Sequence, residues 1–426
     1  MVPDAEPGRE LGPADGYDHA ALITRLALAT IVASLGWGAA LAVAKPETRG
    51  ADLGAKLDAA LQAPGIGPAR TGAMALDLAS GRVVFAHNSD AGFVPASNEK
   101  LPVTYAAVKT LGPDFRFPTE VRGQGWLGAH GTWRGNLVLK GYGDPTLSTS
   151  RLRVLAVRVH RLGITRVTGM VIGDESFFDK RRTAPGWKAS FYIEESPPLS
   201  ALVVDRAWTG KAVTPTPAYT AAVLFRKLLI KAGVAVGGAA RSFHAGGKVL
   251  AVSVSERLDE ILHTVDADSD NFSAELLLKE LGAVAGAGGT SAAGAAVVRH
   301  VLAENAIPLE GVRIVDGSGL SSLDRLTPQA IVAILHQCWS DGELRSTLVQ
   351  AMAVAGRSGT LEHRLLGPRT RGTVVGKTGT TDLASVLSGF VHGRYAFSVM
   401  ENGSPVPWWN ARAAQDRFVQ LLAAAS

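Results

Sequence analysis

The chain has 426 residues, 46% of them hydrophobic and 19% charged, which excludes disorder and collagen-like structure and suffices for two or three separately cored domains. Forty-three Lys and Arg against 38 Asp and Glu leave a net +5, far from the concentrated positive charge that phosphate backbones require, so no nucleic-acid partner is expected. Cys338 is the one cysteine, so no intrachain disulfide and no cysteine-based zinc site can form.

Residues 26–44 (LALATIVASLGWGAALAVA) carry no charge and close on Ala42-Val43-Ala44, the small-x-small pattern that signal peptidase reads, which predicts export. A signal peptide over residues 1–44 or an uncleaved anchor both fit, because nineteen apolar residues almost reach the ~20 that span a bilayer. Membrane contact is expected only through this segment. Upstream, Asp4, Glu6, Glu10, Asp15 and Asp18 outnumber Arg9 and Arg25, opposite to a signal n-region, and point to a later translation start.

Residues 51–61 have helical spacing, and residues 72–86 read as two strands around the Ala79-Ser80-Gly81-Arg82 turn. Residues 123–254 are expected to form an inserted β-rich domain, with strand-like runs at 136–140, 166–172, 201–204 and 249–254 and one clear helix at 218–232. Helical spacing returns at 258–263, 271–281, 294–305 and 328–338, with residues 282–289 (GAVAGAGG) reading as a flexible linker. Apolar runs at 373–375, 384–391 and 395–401 predict three strands, followed by a helix at 411–424. The expected fold class is α+β: an antiparallel sheet flanked by helices, assembled from residues 45–122 and 255–426, so that both ends of the chain meet in one domain.

Three short segments are candidates for chemistry. Ser97 and Lys100 lie three apart at a helix entry, on one face, where a desolvated lysine can take the proton of a serine hydroxyl. An N-cap serine beside an exposed lysine is the ordinary alternative. Pro102 fits only a first helical turn, so regular helix is expected to start near Lys100, with Ser97 in a tighter turn before it. Ser269-Asp270-Asn271 precedes another helix and offers a hydroxyl and an amide for proton relay and substrate binding, or simply an N-cap. Lys377-Thr378-Gly379-Thr380 presents a cation and two hydroxyls on a strand edge where glycine lets a ligand approach, or else a surface turn.

Ser-x-x-Lys, Ser-x-Asn and Lys-Thr-Gly occur in the order used by penicilloyl-serine enzymes, and the chain resembles them. The 172 residues between Ser97 and Ser269 demand an inserted domain. From about Ala51 onward the chain is similar to the class C low-molecular-mass penicillin-binding proteins, which are D-alanyl-D-alanine carboxypeptidase/endopeptidases. Gly143-Asp144-Pro145-Thr146-Leu147, Asp316-Gly317-Ser318-Gly319-Leu320-Ser321 and Gly356-Arg357-Ser358-Gly359-Thr360-Leu361 agree with that family.

The resemblance implies that Ser97 is acylated, Lys100 deprotonates it, and Ser269 with Lys377 passes the proton to departing D-alanine. It implies that Asn271 holds the substrate amide, that Thr378 and Thr380 bind the terminal carboxylate with Gly379 part of the same substrate-binding edge, and that the N–H groups of Ser97 and Thr380 form an oxyanion hole. It implies no metal or other cofactor, with peptidoglycan stem peptides as substrates, β-lactams as covalent inhibitors, and an extracytoplasmic location. The insertion is shorter than in larger members, and the segment 187–199 is shortened. Glu194 and Glu195 there read as exposed carboxylates, or as an acid facing the amino group of a substrate side chain.

The alternatives are a β-lactamase, for which no Glu-x-x-Leu-Asn stretch supplies a deacylating base between Ser97 and Ser269, an esterase, and a non-catalytic wall-binding protein. Asp144, Asp316 and Ser318 are expected to bond local backbone, and Cys338 to lie in the core.

Overall fold

The computed structural model describes residues 48–426, and the leader expected over residues 1–44 lies outside them. The first elements are helix α1 (Thr48–Ala60), the hairpin β1 (Thr71–Asp77) and β2 (Arg82–His87), and helix α2 (Lys100–Leu111). There follow β3 (Pro118–Leu127), β4 (Thr132–Gly141), α3 (Thr149–Arg161), β5 (Arg166–Val167), β6 (Val171–Asp174), β7 (Trp208–Thr209), β8 (Ala212–Val213) and α4 (Pro217–Lys231). Next come β9 (Ala235–Val236), β10 (Ala240–Ser242), β11 (Lys248–Val254) and the helices α5 (Leu258–Asp266), α6 (Asn271–Ala285), α7 (Ser291–Glu304) and α8 (Pro328–Ser340). The chain closes with β12 (Ala353–Val354), β13 (Val374–Thr380), β14 (Ala384–Val391), β15 (Tyr395–Asn402) and α9 (Trp408–Ala425).

One antiparallel sheet has the order β12-β13-β14-β15-β1-β2. Thr71 pairs with Glu401, so the early hairpin and the last three strands form one surface, as the apolar runs predict. Every residue of β14 is buried, which requires a cover on both faces. On one face, Leu57 of α1 and Phe418 and Leu422 of α9 pack with Ala75, Phe397 and Val399. On the other, Trp339 of α8 meets Phe390 with ring centroids 5.3 Å apart. Phe418 is fully buried and meets Phe85 edge-on at 5.5 Å, a contact whose truncation to alanine costs about 3–5 kcal/mol.

The second sheet has the order β10-β6-β4-β3-β11, with β5 joining β4 to β9. Helices α3 and α4 cover it with Leu152, Leu155 and Val159 and with Ala218, Ala222, Phe225 and Leu229. Four expectations change here. Residues 166–172 form two strands rather than one, because Met170 N–H turns to donate to the Asn136 side chain at 3.0 Å. Residues 201–204 form no strand and run as a buried loop whose Ala201 carbonyl accepts from Gly143 N–H at 2.8 Å. Helix α3 is additional. The glycine-rich stretch 282–289 is no flexible linker at its start: α6 continues through Gly282 to Ala285, and the small residues let α6 and α7 pack closely. Among the described residues no helix is long and apolar enough to cross a membrane.

Candidate active site

Ser97 lies in a 3-10 turn, Ala96–Glu99, and α2 begins at Lys100 with Pro102 inside its first turn, as the proline predicts. Lys100 is completely buried, and its Nζ lies 2.9 Å from Ser97 Oγ, 2.8 Å from Asn271 Oδ1 and 2.8 Å from the Ser318 carbonyl oxygen. The chemistry of these three partners differs. Two are carbonyl oxygens that only accept, so they take two N–H bonds; the third is a hydroxyl that can also donate. A neutral Lys100 amine therefore has its lone pair directed at the one partner with a proton to give, the Ser97 hydroxyl.

Burial pushes the Lys100 ammonium down to about 8, against the upward pull of Asp316, Asp270, Glu275 and Asp266. The Ser318 carbonyl is held in place from behind. Glu275 Oε1 accepts from the N–H groups of Gly317 and Ser318, each at 2.9 Å, and from Ser318 Oγ at 2.6 Å. Asp316 accepts from Gly319 and Ser321 N–H, both at 2.7 Å, and from Trp187 Nε1 at 2.8 Å. Asp144 likewise accepts from Thr146 N–H at 2.8 Å. These loop-structuring bonds match expectation for Asp144 and Asp316, whereas the Ser318 hydroxyl donates to distant Glu275 and meets local backbone only by accepting from Leu320 N–H at 3.4 Å. Glu99, Glu275 and Asp324 are buried in the same region, and burial together with the negative charge of Asp316 raises all three well above the ordinary carboxyl range.

Ser269 has φ +66, and its Oγ accepts from Lys377 Nζ at 2.8 Å. Lys377 is itself fully buried in β13, with its second hydrogen bond to the Thr378 carbonyl at 3.1 Å. Burial and the neighbouring Lys100 charge hold this ammonium well below its usual range. The open, charged strand edge expected for Lys377 is therefore not what the fold provides: its amine points inward, toward Ser269.

Asp270 caps α6 by accepting from Ser273 N–H at 2.7 Å and pairs with Arg206 Nη2 at 2.6 Å. Arg206 belongs to the second sheet's region and stands in a run of three left-handed residues, Asp205, Arg206 and Ala207, with φ of 48°, 54° and 64°. Such a conformation costs about 1–3 kcal/mol per residue and persists only where contacts over-determine it. Asn271 Nδ2 donates to the Glu195 carbonyl at 3.1 Å, and exposed Glu195 lines the cleft while Glu194 does not.

The strand β13 is tied to the serine turn by Asn98 Nδ2, which donates to the Lys377 carbonyl at 3.1 Å. Gly379 passes so close that a Cβ there would stand 2.9 Å from Ser97 N. Ser97, Ser269, Asn271, Thr378, Gly379 and Thr380 all line one cleft of about 780 Å³, and Lys100 and Lys377 lie buried behind Ser97 and Ser269. All eight candidate residues thus converge. Not foreseen were the Ser318 carbonyl, Glu275, Arg206, and Arg412 of α9, whose Nη2 donates to Thr380 Oγ1 at 3.2 Å. Only Ser318 carried a signal, through the Asp-Gly-Ser-Gly segment; the other three are contacts made by tertiary packing.

Two lysine-serine pairs and a threonine-glycine edge thus converge on one cleft. The sequence profile of the D-Ala-D-Ala carboxypeptidase 3 (S13) family matches residues 53–219 and 211–425, and the chain belongs to that family. It is 29% identical to a D-alanyl-D-alanine carboxypeptidase of an Actinomadura species over an alignment covering 97% of this chain and 92% of the relative. Its fold is shared with penicillin-binding protein 4 of Haemophilus influenzae, with a TM-score of 0.76, 22% identity, and coverage of 89% of this chain and 99% of the other. That protein has also been solved in complex with a β-lactam. A predatory peptidoglycan endopeptidase of Bdellovibrio bacteriovorus matches with a TM-score of 0.56 and 20% identity, covering 83% of this chain and 92% of the other.

Proposed function

We propose that Ser97 is the nucleophile through which this chain, a serine-type D-alanyl-D-alanine carboxypeptidase that acts outside the cytoplasm on peptidoglycan peptides and reacts with β-lactams, forms its acyl-enzyme. The observation that carries this reading is the position of the buried Lys100 Nζ, 2.9 Å from Ser97 Oγ, with its two other partners being oxygens that can only accept. Lys100 takes the hydroxyl proton as Oγ attacks the carbonyl of the penultimate D-alanine. The N–H groups of Ser97 and Thr380 hold the oxyanion, and Asn271 holds the acyl-side amide after displacing Glu195. As the C–N bond breaks, Ser269, backed by Lys377, hands a proton to the leaving amine. Water then hydrolyses the ester and frees Ser97. A labelled penicillin should add one adduct to the intact protein mass and none to Ser97→Ala; an adduct on Ser97→Ala refutes the assignment.

A second capability, cleavage of cross-links, is favoured by the cleft itself, which continues past Thr380 to His363, Trp409 and Asp416 and leaves room for a leaving residue larger than D-alanine. Incubation with a pentapeptide and with cross-linked muropeptides, read by product mass, separates the two; cleavage of the pentapeptide alone refutes the second. Residues 123–254 read as a separate inserted domain; the apolar cluster beneath α3 and α4 supports this, with β3 already beginning at Pro118. Cleavage after Ala44 is the proposed fate of the leader, and N-terminal sequencing that recovers residues 1–44 from a membrane fraction refutes it.

A further inference from the structure

A substrate that ends in a carboxylate brings a permanent negative charge to Thr378 and Thr380, and the cleft needs a cation to meet it. Lys377 is poorly suited. Its amine is fully buried, bonded to Ser269 and to the Thr378 carbonyl, and burial favours its neutral form. Lys100 lies behind Ser97 with its own three partners. Arg364, on the cleft wall, is already paired with Asp416 at 2.8 Å and with Gln415 at 2.7 Å.

Arg412 differs from all of these. It lines the cleft, donates to Thr380 Oγ1 at 3.2 Å, and forms no ion pair with any carboxylate among the described residues. Its guanidinium lies over the Trp408 ring at 4.5 Å, and Trp408 stacks on Trp409 at 3.9 Å, so the charge is held in position before substrate arrives. Asp416 on the same helix, Arg364, which is packed on that helix and donates to the Arg412 carbonyl at 3.1 Å, and His363 are the charged and titratable groups around it. A guanidinium presents N–H groups in a planar fork matched to a carboxylate and stays protonated at every working pH.

We propose that Arg412 is the charge that receives the substrate's terminal carboxylate, and that Arg412, rather than Lys377, makes the site prefer acyl donors whose leaving group ends in a carboxylate. The inference rests on acylation at Ser97 and assigns the specificity of that step.

The test uses two thioesters with the same N-acyl-D-alanyl group, one releasing mercaptoacetate and the other mercaptoacetamide. The full chain should turn over the carboxylate donor with the higher kcat/KM. Arg412→Gln should lower that value by about 10- to 100-fold, the range expected for loss of a charge-assisted contact, and lower the carboxamide value far less, so the ratio of the two collapses. Arg412→Lys should keep part of the ratio. In the unmodified chain the ratio should hold from about pH 7.5 to 9.5, above the histidine range, as a guanidinium requires, although the Lys100 ammonium, pushed down to about 8, loses its proton across that range. That measurement decides the matter even where Arg412→Gln does not fold. A ratio that survives in Arg412→Gln, or that falls with rising pH in the unmodified chain, overturns the assignment to Arg412. Turnover of either donor by Ser97→Ala would instead overturn the underlying acylation reading.

Discussion

The burial of Lys100 sets a measurable pH dependence for acylation. An ammonium that titrates at about 8 is neutral in roughly 9% of molecules at pH 7, whereas one at the ordinary 10.5 is neutral in roughly 0.03%, so burial multiplies the working base by about 300-fold. The acylation rate should therefore rise about tenfold per pH unit below about pH 7 and level off above about pH 8. Stopped-flow measurement with a fluorescent penicillin, whose carboxylate keeps its charge throughout, gives the profile directly. Ser269→Ala leaves the three Lys100 contacts in place, so it should lower the plateau without moving the inflection. Lys100→Arg, which cannot release a proton, should lose about 10²–10⁴ in rate at every pH. A flat profile from pH 6 to 9, or near-normal acylation by Lys100→Arg, would refute Lys100 as the base.

Three further outcomes are expected. Gly319 has φ +81 and would place a Cβ 1.8 Å from the Ala96 carbonyl oxygen, so Gly319→Ala should push the serine turn out of place and abolish penicillin labelling, with a clear loss of melting temperature. Arg206→Ala removes the ion pair to Asp270; it should slow acylation by peptide and penicillin alike by about 3- to 30-fold, the scale of a contact to a charged group, with circular dichroism unchanged. Glu401 is buried in β15 and holds its proton up to about 8, chiefly because of burial, while the unfolded chain releases it near 4.5. Between those values the folded state binds more protons, so this group's contribution to stability is complete below 4.5 and declines as pH rises to about 8; Glu401→Gln should flatten that decline in denaturation curves at pH 5 and 8.

Much of this site could be read in the sequence because acyl-transfer chemistry constrains local spacing. Ser97 and Lys100 share a helical face whatever the tertiary fold, and Pro102 fixes where the regular helix begins. The sheet could be read because its strands are short apolar runs bounded by glycine turns. Helix α3 escaped notice although Leu152, Leu155, Ala156 and Val159 have the spacing of a buried stripe, since Val154, Val157 and Val159 give the segment a strand-like composition. Lys377 departs from expectation for a different reason. Strand position says which residues share a face, but whether a lysine on it is solvated depends on Ser269 and Asp266, which arrive from over a hundred residues away. Arg206 and Arg412 look like ordinary surface cations in sequence; only the closing of the second sheet onto α6, and of α9 onto β13, gives them work at the site.

The pairing of β1 with β15 bears on how the protein is made. A chain that emerges from a ribosome or a membrane pore in N-to-C order presents β1 and β2 early, yet the neighbour of β1 arrives only with residues 395–401. Until then an apolar hairpin has an unfilled edge, the arrangement most prone to pairing with a stranger. Ser97 waits as well, because the Asn98 anchor on the Lys377 carbonyl and the close passage of Gly379 do not exist until β13 has emerged. A nascent chain that still lacks β13 should therefore not label with penicillin, and reactivity should switch on as one late event when the last strands enter the sheet.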